Sequence, residues 1–433
     1  MRATRLHPTA TTVPAERRWL LWLGVLAAAR AAIPLLALAF GGALPGFPEY
    51  SYRGPRGDAS GYIDTARAII SAGASFRLLL PVLLLAAVAL LLALRWAWRR
   101  FPGERHWVIA GVAAVAFCLA AAVILKIASQ APAGAVGWPL LLSIPLLPFR
   151  VIGWIDDEVA VGVGIAVAIL ANAVTIFATA FIGWRATGSR RVGLLAASLF
   201  TFWPFLVWLL LGERTWANSA WAIEAGLELY TEPVSTACVV AGTALALVRG
   251  RPAWAAVAAG ITLGYAIAVR PTNLVFAAAL AILLAWERDW RGLGRFVVGG
   301  LTVLPIVIAF LPKKRGYDLA LARDETGLPL WSNDYLVSTF TDSSVYRPLL
   351  LALLLPLVLI GAASVRSRPV ALMLLGGALA NAAVYAFFRA TFEHPRYLHA
   401  GLPALLVLWA AGAARVAELA RRQSGSPEPV RSS

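Results

Sequence analysis

Twelve apolar runs divide this 433-residue chain, and each has about the length that an α-helix needs to cross a lipid bilayer. Hydrophobic residues make up 60% of the chain and charged residues only 14%, and the mean hydropathy is +0.75. A soluble globular domain carries about 25% charged residues. The sequence therefore predicts an all-α, polytopic membrane protein with about 12 transmembrane helices. The predicted spans are 19–40, 77–97, 107–126, 158–183, 191–211, 233–249, 253–269, 271–286, 294–312, 347–364, 369–388 and 398–417.

The loops between these runs alternate in length and charge. One set is short and rich in arginine, as in Arg190-Arg191 and Arg249-Gly250-Arg251. Short basic loops face the cytoplasm, so both termini are predicted to lie inside (N-in/C-in) in a multi-pass protein of the plasma membrane. The other set is longer and holds most of the acids, and we expect it to form amphipathic helices and the active-site loops of the outer face. These outer loops are 41–76, 127–157, 212–232, 313–346 and 389–397.

The same boundaries predict a single membrane domain over 19–417, between a basic cytoplasmic tail at 1–18 and a flexible cytoplasmic tail at 418–433. Most of the net charge of +16 falls in short loops and tails, where arginine sets membrane orientation, so we expect no nucleic-acid partner. Cys118 and Cys238 both lie in apolar runs, which indicates neither a disulfide framework nor a metal cluster. The first apolar run is long and lacks a small-residue cleavage site, so no cleavable signal peptide is predicted.

The stretch Gly57–Gly73, just beyond the first span, carries an acid in an informative position. Its helical spacing predicts an apolar face made of Tyr62, Ala66, Ile69 and Ile70. Asp58 lies one turn before Tyr62 on that face, Ser60 could cap the helix and Gly73 could end it. Asp58 is then either a solvated loop or cap acid, or a functional carboxylate at the mouth of an amphipathic helix.

Two outer loops place further carboxylates at the start of predicted spans. Asp156, Asp157 and Glu158 follow GWPLLLSIPLLPFRVIG, a segment too short and too proline-broken to span and therefore predicted to be re-entrant or interfacial. These acids either stabilise a helix N-terminus or form a second site for a cation or a sugar hydroxyl. The loop that ends at Glu232 interleaves acids with Trp and Tyr. That composition is typical of an interfacial belt or of a surface that stacks on sugar rings.

Two segments place cations near the predicted outer surface. Arg270, in AVRPTN, lies in a hairpin between two apolar runs that is too tight to be a solvated loop. The segment FEHPRYLHAGLP leads into the last span and contains His394, Arg396, Tyr397 and His399. Ionisable groups at membrane depth are costly and usually have partners. Snorkelling explains a lone arginine at a helix end, whereas a lipid-linked phosphate would use the donor fork of the guanidinium group. Arg30 and Lys126, inside apolar runs, pose the same question.

The motif GDASGYIDTA resembles the first-loop acidic motif of GT-C glycosyltransferases, multispanning enzymes that use polyprenyl-phosphate sugars as donors. Trp138-Pro139-Leu140, LYTEPVSTA, AVRPTN and HPRYLHAGLP resemble features that recur, in this order, in the mannosyltransferase-like and protein-mannosyltransferase-like branches. The resemblance covers most of the chain through short motifs. The chain departs from the family pattern in having a single Asp at 58 instead of an acidic pair, and in an additional apolar pair at 77–126.

This resemblance implies an inverting transferase that moves a mannose-like hexose or a pentose from a polyprenyl-phosphate donor to a hydroxyl of a glycan, lipid or protein acceptor in the cell envelope. Asp58 would act as the catalytic base or align the acceptor, and Arg396 and Arg270 would bind the lipid phosphate. The candidate substrate-binding residues are Tyr62, Asp156, Asp157, Glu232, Arg270, His394, Arg396 and Tyr397. No organic cofactor is indicated, and a divalent cation is a candidate.

The residues suit this chemistry, and they also leave alternatives. A carboxylate can take the proton of an acceptor hydroxyl, and basic groups can stabilise the departing phosphate. No Gly-rich nucleotide loop is present in a strand–helix setting, which favours a lipid-linked donor. Twelve spans with both termini inside also suit a transporter or a lipid or glycolipid flippase, although the two halves share no convincing repeat. A non-catalytic scaffold for envelope assembly is a third alternative.

Overall fold

The computed structural model describes residues 15–40, 58–75, 137–154, 156–211, 231–310, 348–387 and 395–423, together with residues 88, 92, 95, 111, 113–115 and 332. Within these residues the chain is helical and contains no strand. The helices are α1 (Ala15–Phe40), α2 (Asp58–Ser75), α3 (Gly137–Val151), α4 (Asp157–Thr187), α5 (Arg190–Leu211), α6 (Glu232–Ala246), α7 (Ala253–Val269), α8 (Leu274–Trp286), α9 (Trp290–Leu301), α10 (Leu304–Phe310), α11 (Pro348–Ser364), α12 (Arg368–Ala386) and α13 (Leu402–Gln423). Short 3₁₀ segments at Pro271–Asn273 and Pro395–Gly401 precede α8 and α13.

The helices coincide with ten of the twelve predicted spans. The other two, 77–97 and 107–126, lie outside the described residues apart from a few single positions. Four helices in the described part of the chain are both long and apolar enough to cross a membrane. They are Asp157–Thr187, Trp290–Val307, Arg368–Ala386 and Leu398–Gln423. The protein is therefore a helical, membrane-embedded protein, while the number of spans and their orientation stay predictions.

The outer surface of the bundle is apolar as well as its interior. Leu170, Ile282 and Trp286 expose 65%, 63% and 62% of their surface, although the bundle has its own buried apolar core. A water-soluble protein rarely exposes apolar patches on this scale. The hydrocarbon of a bilayer covers such a surface without cost, in agreement with a membrane location.

Glycines bring pairs of helices into close contact. Gly361 of α11 faces the backbone of Leu408 on α13, and Gly412 of α13 faces the backbone of Leu357 on α11. A Cβ atom at either glycine would overlap the backbone of the facing helix. Small residues of this kind let membrane helices approach closely and gain van der Waals contact, which explains why α11 and α13 lie tightly against each other.

Helix α2 differs in its bounds from the sequence prediction. It begins at Asp58, so that Ser60 lies in its first turn instead of capping it, and it continues past Gly73 to Ser75. A carboxylate in the first turn of a helix is favoured by the helix dipole, which accounts for the earlier start. A glycine inside a helix costs only about 1 kcal/mol relative to alanine, and burial of Ile70 against neighbouring helices offsets that cost.

The two ends of the bundle have different character. Helices α2 and α3 pack together beside the start of α6 at one end, which we call the loop-helix end. At the other end of α6, the carbonyl oxygen of Leu247 accepts a hydrogen bond of 2.9 Å from Nε of Arg185. We call this the arginine end, since Arg185, Arg251 and Arg366 surround a cavity there.

Candidate functional site

The two short helices of the predicted outer loops dock on each other and on the bundle. Trp138 of α3 is fully buried and belongs to one apolar cluster with Ile63 and Ile70 of α2. The cluster continues onto α4, α6 and α7 through Val161, Ile165, Val234, Ala237 and Val269. The segment around Trp138 and the helix that begins at Asp58 therefore lie together at the loop-helix end.

A close backbone contact fixes the start of α3. The hydroxyl of Tyr265 on α7 donates a 2.5 Å hydrogen bond to the carbonyl oxygen of Gly137. A Cβ atom at Gly137 would lie 2.5 Å from the backbone nitrogen of Val269. Only a glycine permits this approach, which positions α3 next to the end of α7, where Arg270 follows.

The acids before α4 have structural partners. The Asp156 side chain accepts a 2.8 Å hydrogen bond from the backbone N–H of Val159 and caps α4. Asp157 forms an ion pair of 2.7 Å with Arg67 of α2, which ties α2 to the start of α4. Asp157 is well exposed, and exposed pairs contribute at most about 1 kcal/mol. Asp156 therefore stabilises the N-terminus of α4, which is one of the two interpretations of these acids.

A buried ion pair lies at the start of α6. Oε1 of Glu232 accepts a 2.7 Å hydrogen bond from Nη2 of Arg270, and these side chains are only 1% and 15% exposed. Tyr385 of α12 places its ring 6.0 Å from the guanidinium carbon of Arg270 and shares a 2.7 Å hydrogen bond with the hydroxyl of Thr272. The AVRPTN hairpin is thus joined to α6 and to α12.

Asn273 in the same hairpin adds a second connection to α6. Its Nδ2 donates to Oγ of Ser235 and to the carbonyl oxygen of Ala266, each at 2.8 Å. Asn273 and Ser235 are both buried. Buried polar groups normally require such partners. The polar side chains of TEPVSTA and AVRPTN therefore form one hydrogen-bond network between neighbouring helices.

The next polar contact brings the last span to the same network. Nδ1 of His399 lies 2.9 Å from Oγ1 of Thr236, one turn into α6. The His399 ring also lies 5.6 Å from the ring of Phe200 on α5. His399 is 2% exposed, and its Nε2 has no hydrogen-bond partner within the described part of the chain.

Arg30 approaches this group from α1. Its guanidinium carbon lies 5.3 Å from the centre of the Phe200 ring, and its Nη1 donates a 3.2 Å hydrogen bond to the carbonyl oxygen of Thr201. Arg30 is only 1% exposed. Arg30 and His399 both lie against Phe200, and Thr236, which contacts His399, is one turn from the Glu232–Arg270 pair. We call Arg30, Glu232, Arg270 and His399 the buried cluster.

The buried cluster suits an anion better than a cation. It contains two guanidinium groups and a single carboxylate, which is already paired with Arg270, and the imidazole of His399 adds one more hydrogen-bonding nitrogen. Guanidinium groups offer several donors to phosphate oxygens. Among the described residues, no three side chains of His, Cys, Asp or Glu are grouped so that they could hold a metal ion.

Four predicted site residues have side chains outside the described part of the structure. Asp58 is the first residue of α2, and Arg396 and Tyr397 belong to the 3₁₀ segment Pro395–Gly401, but their side chains are not among those described. His394 lies outside the described residues. The 3₁₀ segment packs against α6 and α12, so the backbone at Arg396 belongs to the loop-helix end. Tyr62 is half-buried on α2 beside its apolar cluster.

Sequence reasoning missed three members of the network. Phe200 is an aromatic residue in an apolar run, which is indistinguishable from an ordinary core residue. Thr236 and Tyr385 carried no sequence signal of their own either, although Thr236 belongs to the LYTEPVSTA motif. Arg30 carried a signal, because a cation inside an apolar run needs a partner, but the sequence did not indicate which one.

Comparison with protein-family models finds no match to this chain, and comparison with curated proteins finds none either.

Proposed function

We propose that this protein is a membrane glycosyltransferase that moves a sugar from a polyprenyl-phosphate donor to an acceptor hydroxyl at the outer face of the plasma membrane. The sugar would be a mannose-like hexose or a pentose, and the acceptor a glycan, a lipid or a protein of the cell envelope. The site would lie at the loop-helix end. The proposal rests on chemistry and on the resemblance of the sequence motifs to GT-C enzymes.

One observation carries the proposal: motifs that are far apart in the sequence converge at one end of the bundle. Trp138 of the GWP segment packs on α2, which begins at Asp58. Glu232 of the TEP motif pairs with Arg270 of the RPTN motif. His399, from the last motif, contacts the helix that Glu232 begins. A catalytic site needs such convergence, whereas motifs of purely local structural value do not.

The proposed reaction is a direct displacement at the anomeric carbon. The acceptor oxygen forms a bond to this carbon while the bond from the carbon to the phosphate oxygen breaks, so the configuration inverts. Asp58 takes the proton of the acceptor hydroxyl as general base. The lipid phosphate leaves with both electrons of the broken bond, and its growing negative charge requires nearby cations.

The basic residues would divide this electrostatic task. Arg396 is our candidate for direct contact with the donor phosphate, because guanidinium and phosphate match in a bidentate geometry. Arg270 already shares the Glu232 carboxylate, so it would act mainly through its charge and by holding the hairpin in place. Arg30 and His399, both buried, would add positive potential and a hydrogen-bonding nitrogen beneath the phosphate.

The test is transfer activity of the purified full-length protein. It is incubated in detergent or nanodiscs with a panel of radiolabelled polyprenyl-phosphate sugars and a membrane extract as acceptor source. We expect label from one donor to enter a lipid-insoluble or acceptor-linked product. Arg396→Lys keeps the charge but loses the fork, so it should weaken donor binding, whereas Arg421→Lys at the far end of α13 should not. Absence of transfer from every donor would overturn the proposal.

A second candidate function, a transporter or a lipid or glycolipid flippase, is favoured by one observation. Arg30 and His399 are ionisable residues buried inside a helical bundle, and in membrane proteins such residues often mark a pathway for ions or substrates. The two functions differ in covalent chemistry. Labelled donor that crosses the membrane of proteoliposomes with its sugar–phosphate bond intact indicates transport, and a new glycosidic product indicates transfer.

A further inference from the structure

A second site of basic character lies at the arginine end, opposite the buried cluster. A cavity of about 500 Å³ opens there between the ends of α4, α6 and α8 and the start of α12. Four arginines and two acids line it, which gives a net positive charge of two. These charged residues are Arg185, Arg249, Arg251, Arg366, Glu287 and Asp289. No part of the proposed transfer reaction uses them.

The two acids already have partners. Arg251 forms ion pairs with Glu287 and, at 3.5 Å, with Asp289. Asp289 also caps α9 by accepting a 2.9 Å hydrogen bond from the backbone N–H of Gly292. Arg251 is therefore largely neutralised by these carboxylates, and the excess positive charge of the cavity belongs to the other three arginines.

The guanidinium groups of those three arginines have N–H donors that no residue in the described part of the chain uses. Arg185 uses only its Nε, which donates to the carbonyl oxygen of Leu247. The side chains of Arg249 and Arg366 are exposed and form no ion pair or hydrogen bond with a described residue. Exposed arginines without acids repel one another, and an anion placed between them removes that repulsion.

Two local features hold one of these arginines at the cavity. The guanidinium group of Arg366 lies directly over Gly188, where a Cβ atom would overlap it. Gly188 ends α4 in a left-handed conformation with φ of 76°, so glycine is favoured there. The backbone N–H of Arg366 donates a 3.0 Å hydrogen bond to the carbonyl oxygen of Ala186. The segment that carries Arg366 is thus fixed to the end of α4.

The N-terminus of α12 adds to the positive potential. Ser367 is the N-cap of this 19-residue helix, lines the cavity, and makes no capping hydrogen bond through its side chain. Unsatisfied N–H groups and the helix dipole both attract anions at such a terminus. Leu247, Val248 and Val370 form an apolar wall in the same cavity.

We propose that this cavity binds a phosphate group, borne either by an anionic phospholipid headgroup or by a soluble phosphate ester. Arginine forks match phosphate oxygens, and basic pockets between membrane helices bind anionic headgroups. The apolar wall suits the glycerol and first acyl carbons of a lipid. The site lies at the opposite end of the helices from the proposed transferase site, so either proposal can fail without the other.

The test measures phosphatidylglycerol binding to the full-length protein in mixed micelles by native mass spectrometry, with phosphatidylcholine as the zwitterionic reference. We expect one tightly held phosphatidylglycerol per chain. The double variant Arg249→Gln/Arg366→Gln should bind it at least about tenfold more weakly, since each surface arginine contributes measurably to anionic-lipid binding. Inorganic phosphate and glycerol phosphate are then added as competitors. Displacement by them identifies a soluble ester as the ligand source, and retention identifies the lipid.

The matched control is Arg191→Gln/Arg291→Gln. It removes the same charge from exposed positions that follow α4 and α8 at the same end but do not line the cavity. The control should change binding less than about twofold. Equal losses of binding in the two double variants would mean that diffuse surface charge attracts the lipid, and would overturn the site. Equal binding of phosphatidylglycerol and phosphatidylcholine, without displacement by phosphate, would overturn it too. Arg249→Lys/Arg366→Lys keeps the charge but loses the donor forks, so it tests the site even if the Gln pair does not fold. Weaker phosphatidylglycerol binding than wild type supports the site, and unchanged binding would overturn it.

Discussion

Glu232 and Arg270 form a buried ion pair of 2.7 Å that joins the first residue of α6 to the residue that directly follows α7. The pair lies in an all-helical bundle, where helices otherwise contact one another mainly through apolar and small side chains. Two charges taken out of water attract each other strongly, but their desolvation cost is of similar size. The contribution of the pair to the stability of the protein is therefore best measured by removing one partner.

Glu232→Gln should destabilise the protein strongly. The change leaves the charge of Arg270 largely buried without its carboxylate, and breaking such a pair costs up to about 3–5 kcal/mol. The loss should be toward the lower end, because Arg270 retains 15% exposure. Denaturant unfolding in detergent micelles, followed by tryptophan fluorescence, measures the change.

The double variant Glu232→Gln/Arg270→Gln tests the origin of this effect. Removing both charges abolishes the uncompensated charge, so the double variant should be more stable than the sum of the two single variants indicates. Arg67→Gln is a matched control, because its partner Asp157 is well exposed, so the pair should contribute at most about 1 kcal/mol. Additive single and double effects would contradict the interpretation of a coupled buried pair.

The sequence predicted which segments become helices, but not which helices meet. Apolar length is a local property, and the predicted span 253–269 coincides with helix α7. Contact between Glu232 and Arg270 depends on which helix faces separated by 38 residues come together, and no periodicity encodes that. Arg30 and His399 illustrate the same limit, since each was recognisable as a cation-bearing position while their shared neighbour Phe200 was not.

Part of the candidate site could be predicted from the sequence, because several of its residues lie in recognisable motifs. TEPVSTA and AVRPTN were singled out by their resemblance to a family pattern and by Arg270 in a tight hairpin, and in the structure Ser235 and Asn273 of these segments bind each other. Asp156 had two interpretations, and its role as the cap of α4 became visible only with the position of the Val159 N–H. A cap and a ligand use the same residue types, so composition does not distinguish them.

Gly361→Ala should destabilise the bundle, because the added Cβ would overlap the Leu408 carbonyl and force α11 away from α13. Overpacking of this kind costs about 1–3 kcal/mol. Gly376→Ala is the control: Gly376 lies within α12 with open space where its Cβ would be, and alanine is the better helix former. The thermal unfolding temperature of Gly361→Ala should fall, and that of Gly376→Ala should rise or stay unchanged. Equal stability of both would refute the close crossing.

Accessibility of single cysteines tests the predicted orientation. Ser189 and Ser367 lie at the arginine end, which the basic loops predict to be cytoplasmic. Ser189→Cys and Ser367→Cys should resist a membrane-impermeant thiol reagent in intact cells and react after permeabilisation. Ser332→Cys, in a predicted outer loop, should react without permeabilisation. The wild-type chain, which has two cysteines, gives the background. The reverse labelling pattern would move the candidate site to the cytoplasmic face.

Asp58→Asn should abolish most transfer while leaving the fold intact. Asparagine keeps the size of the side chain but cannot take the proton of the acceptor, and general-base assistance contributes about 10²–10⁴ in rate. Asp64→Asn is the matched control, because Asp64 is exposed on the same helix, six positions on. If Asp58 only stabilises the start of α2, its loss should cost about 1 kcal/mol of stability and leave turnover unchanged. Initial rates with the active donor, measured beside unfolding curves of both variants, separate the two roles. Near-normal transfer by folded Asp58→Asn would falsify its assignment as the base.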